Sequence, residues 1–190
     1  MNRRSLLQVL GASLLAGAGA RAASGGDAAN TRKTGGVSVA ELQRDWRKFL
    51  APNASVARDA TPVARPDDEW RELLPADSYR VLRHEATERP FSSPLNNEHR
   101  PGVFACAGCA LPLFTSAMKF DSGTGWPSFF TTIPGAFASK TDHLLIVART
   151  EYHCSKCGGH HGHIFDDGPA PTGLRYCNNG VALRFIPQHA

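Results

Sequence analysis

The side chains best able to do chemistry crowd into one stretch, His160 to Asn179, which reads HHGHIFDDGPAPTGLRYCNN. It holds three histidines, Arg175, Asn179 and Cys177, the one cysteine of five that belongs to neither CxxC pair. A thiolate is a strong nucleophile, and a nearby positive charge favours it over the thiol. Arg175, two residues before Cys177, carries such a charge. Imidazole gives or takes a proton near neutral pH, so His160, His161 and His163 suit a site that must protonate a departing group. These residue types together point to a thiol enzyme with Cys177 as nucleophile. The alternative for any lone cysteine is a buried, inert one. Strict alternation along a strand would put His161 and His163 on one face and His160 on the other, but Gly162 can break that alternation.

The other four cysteines are spaced for a different task. Cys106-x-x-Cys109 and Cys154-x-x-Cys157 each make a tight turn that aims two sulfurs at one point. Two such turns separated by a domain-building stretch are what tetrahedral Zn²⁺ requires. A disulfide scaffold is the competing arrangement, although such scaffolds belong to smaller, more cysteine-dense chains. A histidine could also replace one sulfur as ligand, but four well-spaced cysteines leave it no need to. Trp126 lies in GTGWPS. A tryptophan between glycine and proline in a loop can wall a substrate cavity or pack into the core, and the stretch alone leaves both open.

The rest of the chain must position these groups. Residues 1–22 read as an export signal: Arg3-Arg4, an apolar run rich in Ala and Gly, and Ala20-Arg21-Ala22 as a small-residue cleavage site. The paired arginines point to the twin-arginine route and an exported, periplasmic location; an ordinary secretory signal with two arginines is the alternative. The run is too short and too rich in Ala and Gly for stable membrane insertion. Residues 23–66 read as linker with one short helix inside it, over Ser38 to Leu50, where Ser38 and Glu41 have capping-box spacing and Val39, Leu42, Trp46 and Phe49 recur at helical intervals. Pro52 ends that helix, and residues 51–66 hold three prolines and no periodicity.

The catalytic domain is expected over 67–190. Asp67 is expected to cap a short helix carrying Trp70, Leu73 and Leu74, followed by a second over Ala76 to His84. Strands are expected at 102–105, 129–133, 144–150, 163–165, 174–177 and 181–186. Strands this short, separated by turn residues, indicate a mainly β fold of antiparallel sheets behind short N-terminal helices. The apolar fraction of 42% suffices for a core. Net charge is +4, and removing residues 1–22 takes three arginines and no acid, leaving +1. A near-neutral body argues against nucleic-acid binding.

CAGCALPLF, KFDSGTGWPSF, CSKCGGHHGHIFDDGP and RYCNNGVALRFIP, in this order, resemble the methionine sulfoxide reductases of the B type over about residues 67–187. The resemblance implies a β-tent-like core with a structural zinc knot of Cys106, Cys109, Cys154 and Cys157. It implies that Cys177 is catalytic, with Arg175, with His160 and His163 of the HxGH motif, and with Asn179. Trp126 would hold the substrate's S-methyl group, and Asp166 would orient a neighbour. The implied substrates are oxidised proteins or peptides carrying the R epimer of methionine sulfoxide. Two departures stand out. Gly180 replaces a frequent serine, and Thr124 occupies a common place of a second, resolving cysteine. The second departure leaves an external, thioredoxin-like thiol to restore Cys177. Two other classes compete: a non-catalytic zinc-ribbon binding module, and a disulfide-stapled structural protein that would hold no metal. Neither accounts for the Trp126 loop, the histidines and Cys177 together.

Overall fold

A computed structural model describes residues 37–142 and 149–189. The export signal, the first part of the linker and most of the strand expected at 144–150 lie outside the described residues. The described residues lie within one compact unit. No helix among the described residues is long and apolar enough to cross a membrane.

Three short helices come first. α1 (Val39–Arg44) opens on the expected capping box: Ser38 Oγ accepts from the Glu41 amide at 3.2 Å, and the Glu41 carboxylate accepts from the Ser38 amide at 2.8 Å. The single helix expected to Leu50 instead breaks at Asp45 and continues as a 3₁₀ turn, Trp46–Phe49. Residues 51–66 contain no helix or strand, yet they are bonded to the body rather than free as a spacer. The Ala57 amide donates to Ala110 O at 2.9 Å and the Val63 amide to Lys156 O at 2.7 Å. Those two carbonyls belong to the two CxxC turns and need donors. The strap therefore crosses both. α2 (Asp67–Leu73) buries Trp70, and Asp67 is its first residue, with Pro66 as the cap. The Asp67 carboxylate accepts from Tyr79 Oη at 2.5 Å on α3 (Ala76–His84), which turns Val81 and Leu82 into the core.

Among the described residues nine antiparallel strands follow, in two sheets, as the mainly β reading requires. β1 (Gly102–Cys106) lies between β2 (Pro112–Thr115) and β9 (Leu183–Pro187). The larger sheet contains β3 (Lys119–Phe120), β4 (Ser128–Phe129), β5 (Phe137–Asp142), β6 (Arg149–Cys154), β7 (His160–Phe165) and β8 (Arg175–Asn178), in the order β3-β4-β8-β7-β6-β5. Three of these, β2, β3 and β5, have no counterpart among the expected strands. All three are edge strands. β2 begins with a proline, β3 has two residues, and β5 carries Ser139 and Lys140 toward solvent. Edges tolerate proline and charge, so the apolar alternation that marks a strand is missing there. The core lies where the sheets meet: the rings of Phe114 and Phe129 stack at 3.9 Å, with Phe104 edge-on to Phe129 at 5.1 Å.

Candidate active site and cysteine knot

One row of side chains crosses the larger sheet. Ser128, Cys177, His163, Glu151 and Lys140 are successive cross-strand partners on β4, β8, β7, β6 and β5. Directly opposed residues in antiparallel strands project to the same face, so the polar row shares one side. The alternate row, Phe129, Tyr176 and Ile164, faces the core. Which histidines join Cys177 is decided by a bulge. His163 pairs with Glu151 and His160 with His153, which makes His161 the extra residue. The bulge shifts the side-chain parity. His160 and His163 therefore share a face, and their rings approach edge-on at 5.6 Å. His161 turns the other way, fully buried against Phe137 and Tyr152. Gly162 permits this: a Cβ there would sit 2.0 Å from Cys177 O.

Cys177 borders a cavity of about 140 Å³. Trp126 and Phe165 supply apolar wall, and His163, Asn179 and Thr87 supply polar groups. His160 is 1% exposed, and its nearest approach to the cavity is through His163. Burial lowers its pKa to about 4, against the pull of Glu151. Burial is also the largest influence on Cys177 and pushes its thiol up, while Arg175 and Thr124 pull it down. Arg175 favours the thiolate as expected, but it does not outweigh desolvation. Its charge is shared with Asp167 through two bonds of 2.7 and 2.9 Å. Asp167, rather than the expected Asp166, is the acid that orients a neighbour.

Asn179 is held at both ends of its amide. Nδ2 donates to His161 O at 3.0 Å and Oδ1 accepts from the Glu88 amide at 2.9 Å. One amide hydrogen is left for the cavity. Glu88 was not singled out by sequence reading, yet it ties the site together. Its carboxylate accepts from the Gly180 and Val181 amides at 2.7 and 2.9 Å, and its carbonyl accepts from Trp126 Nε1 at 3.2 Å. Its partners lie far away in sequence, so no local signal marks it. At Gly180 a Cβ would meet Ser93 Oγ at 1.9 Å, so a serine hydroxyl from another loop occupies the space beside that glycine.

The four paired cysteines converge as expected. Their sulfurs lie within 4.8 Å of one another, with Cys106–Cys157 at 3.7 Å and Cys109–Cys154 at 3.5 Å. All five cysteines are free thiols, so the disulfide scaffold is not formed. A tetrahedral ion with bonds of about 2.3 Å sets sulfurs about 3.8 Å apart, so this donor set fits a divalent metal. The two turns are built alike. In one, the Cys106 amide donates to Leu111 O and the Ala110 amide to Cys106 O; in the other, the Cys154 amide donates to Gly159 O and the Gly158 amide to Cys154 O.

A cysteine set beside histidines at a cavity and a four-sulfur knot on one small β fold suit a thiol-dependent class, and comparison gives the family. The SelR domain matches residues 74–187. The chain is 49% identical over 126 residues to the "Peptide methionine sulfoxide reductase MsrB" of Agrobacterium fabrum, covering 66% of this chain and 93% of that one. It is 48% identical over 141 residues to the MsrB of Bradyrhizobium diazoefficiens (72% and 99%), and 48% over 124 residues to that of Methanosarcina barkeri (65% and 87%). The chain belongs to this SelR-domain family, the MsrB-type methionine sulfoxide reductases.

Proposed function

We propose that this protein reduces the R epimer of methionine sulfoxide in oxidised proteins and peptides to methionine, with Cys177 as nucleophile. The observation that carries the reading is the register that sets Cys177 opposite His163 beside a cavity walled by Trp126. The Cys177 thiolate attacks the sulfoxide sulfur. His163 donates a proton to the departing oxygen, His160 supports its ring from behind, and the remaining Asn179 amide hydrogen helps hold that oxygen. Trp126 takes the S-methyl group. In net terms the oxygen passes, with the proton, from the substrate sulfur, which is reduced to the thioether, to Cys177, which is oxidised to a sulfenic acid.

Thr124 is near enough to Cys177 to favour its thiolate, and a hydroxyl cannot form a disulfide. An external thiol of thioredoxin-like kind therefore restores Cys177. A first thiol forms a mixed disulfide and releases water, and a second releases the Cys177 thiol. The four-sulfur set fits one structural Zn²⁺, which holds the ends of β1 and β6 together. The export reading rests on Arg3-Arg4 and the small apolar run behind them. Replacing both arginines by lysine should retain the protein in the cytoplasm; unchanged export would argue for an ordinary secretory signal.

The test of the reaction is one turnover on peptides carrying separated R and S sulfoxides, without reductant, followed by mass analysis and metal assay. The expected result is methionine from the R peptide only, a trappable sulfenic acid on Cys177 and zinc retained. Turnover of the S peptide, or an intramolecular Cys177 disulfide with zinc released, would overturn this reading.

A further inference from the structure

We propose that Glu151, His153 and His160 form a second metal site, separate from the cysteine knot, that takes a divalent ion of the Zn²⁺ and Co²⁺ class. Glu151 and His153, two residues apart on β6, share a face by strand alternation, and the bulge in β7 brings His160 opposite His153 on that face. One donor atom from each of the three lies within 4.8 Å of the others. Donors around a tetrahedral ion bonded at about 2.0–2.1 Å stand about 3.4 Å apart, so small side-chain rotations would close the set.

The two imidazoles converge on one carboxylate oxygen, Glu151 Oε1. His153 Nδ1 lies 3.1 Å from the Gly158 carbonyl, which can only accept, so that nitrogen carries the hydrogen. In the neutral ring Nε2 is then a lone pair, and it points at Glu151 Oε1 from 3.2 Å. His160 Nδ1 lies against the same oxygen. Despite these approaches, His153 Nε2 and both His160 ring nitrogens are buried without a hydrogen bond of acceptable geometry. A proton shared in a hydrogen bond lies on the line between two atoms, whereas an ion can sit between three. Buried polar atoms left without partners call for such an explanation.

The surroundings have what metal ligands need, namely partners on the far side that fix their orientation. The Gly158 carbonyl holds the His153 ring, and Lys140 Nζ holds the other Glu151 oxygen, Oε2, at 3.3 Å. Lys140 is also paired with Glu85 at 2.8 Å, which keeps its charge to the outer side of the cluster. Two imidazoles and one carboxylate suit Zn²⁺, Co²⁺, Ni²⁺ or Cu²⁺ over Mg²⁺ or Ca²⁺. His153, the least buried of the three at 16% side-chain exposure, gives an ion its way in. None of this depends on the reaction proposed above.

The experiment starts from full-length folded protein holding one Zn²⁺ per chain and adds Co²⁺ under reducing conditions, followed by visible absorption and equilibrium dialysis. A second equivalent should bind, with the ligand-field bands of nitrogen and oxygen donors and no sulfur-to-cobalt charge transfer. His153→Ala, with its zinc content and fold checked by circular dichroism, should weaken that second equivalent by 10-fold or more. It should leave the reductase rate without added metal unchanged, since His153 lies outside the cavity. His153→Gln serves if the alanine variant is unstable. Absence of a second equivalent, thiolate bands in its spectrum, or binding that persists without His153 would each overturn the proposal.

Discussion

Cys154 and Cys177 lie on strands of the same six-stranded sheet, and the chain treats the two sulfurs in opposite ways. Cys154 ends β6 inside a turn whose own amides close on it, and its sulfur joins three others within 4.8 Å. Four sulfurs that close cannot all carry charge without a cation among them, so the knot is spaced to hold a metal. Cys177 lies within β8, with Ser128 opposite on one side and His163 on the other, and borders a cavity. Its thiol is pushed up by burial and pulled down by Arg175 and Thr124. The setting of Cys154 is made by local turn geometry repeated twice. The setting of Cys177 is made by what neighbouring strands bring to it.

The sharpest way to break this contrast is to remove one sulfur of each kind. Cys177→Ser should lose reductase activity to background while metal content and melting temperature stay within error. Cys154→Ala should lose the metal and several kcal/mol of stability, because metal binding there is folding energy. Activity would then fall only as far as the fold does. Metal loss in the Cys177 variant, or full activity in it, would show that the two roles are not separate.

A smaller effect should follow from Arg175→Met. The guanidinium stabilises the Cys177 thiolate, so removing it raises the thiol's pKa further. At any pH below that pKa less thiolate is present, and the pH profile of Cys177 alkylation should move to higher pH. Arg175→Lys keeps the charge but not the paired contact with Asp167, and should move it less. A profile that stays in place or moves to lower pH would show that Arg175 acts only by holding Asp167.

The smallest effect tests the likeness of the two turns. Ala110 and Gly158 occupy equivalent places, at φ of 63° and 68°. A left-handed conformation costs a residue with a Cβ about 1 kcal/mol or more. Ala110→Gly should therefore stabilise the fold by roughly 0.5–1 kcal/mol, and Gly158→Ala, where no atom lies within 4 Å of the new Cβ, should cost a similar amount. Thermal unfolding of the zinc-loaded proteins measures both. Effects of unlike size or sign would mean that the turns are not equivalent.

Much of this contrast is legible before folding. CxxC spacing announces a ligand turn because the turn is made by residues within about five positions of each other, as its amide bonds show. The α1 cap and the span of α3 are readable for the same reason. Cys177 is marked by its exclusion from both pairs and by the company of Arg175 and the histidines. Helix α1 overran in expectation because periodicity does not record where Asp45 leaves helical angles. The edge strands escaped because they carry proline and charge.

What the sequence by itself determined is the inventory: four sulfurs spaced for a metal, a fifth set apart, a histidine pair around a glycine, and short antiparallel strands. Tertiary structure alone decided which of these meet. The β6–β7 bulge, invisible in a single strand, sends His160 and His163 to the Cys177 face and His161 to the core. Glu88 joins Asn179, Trp126 and the turn after Cys177 through partners up to 93 residues away. Asp167 rather than Asp166 reaches Arg175 because the path of the loop between β7 and β8 chooses one of two adjacent acids. The physical reason is common to all three. A side chain's type is local, but the face it projects from and the partner it meets are set by strand register and loop path, which only long-range packing fixes.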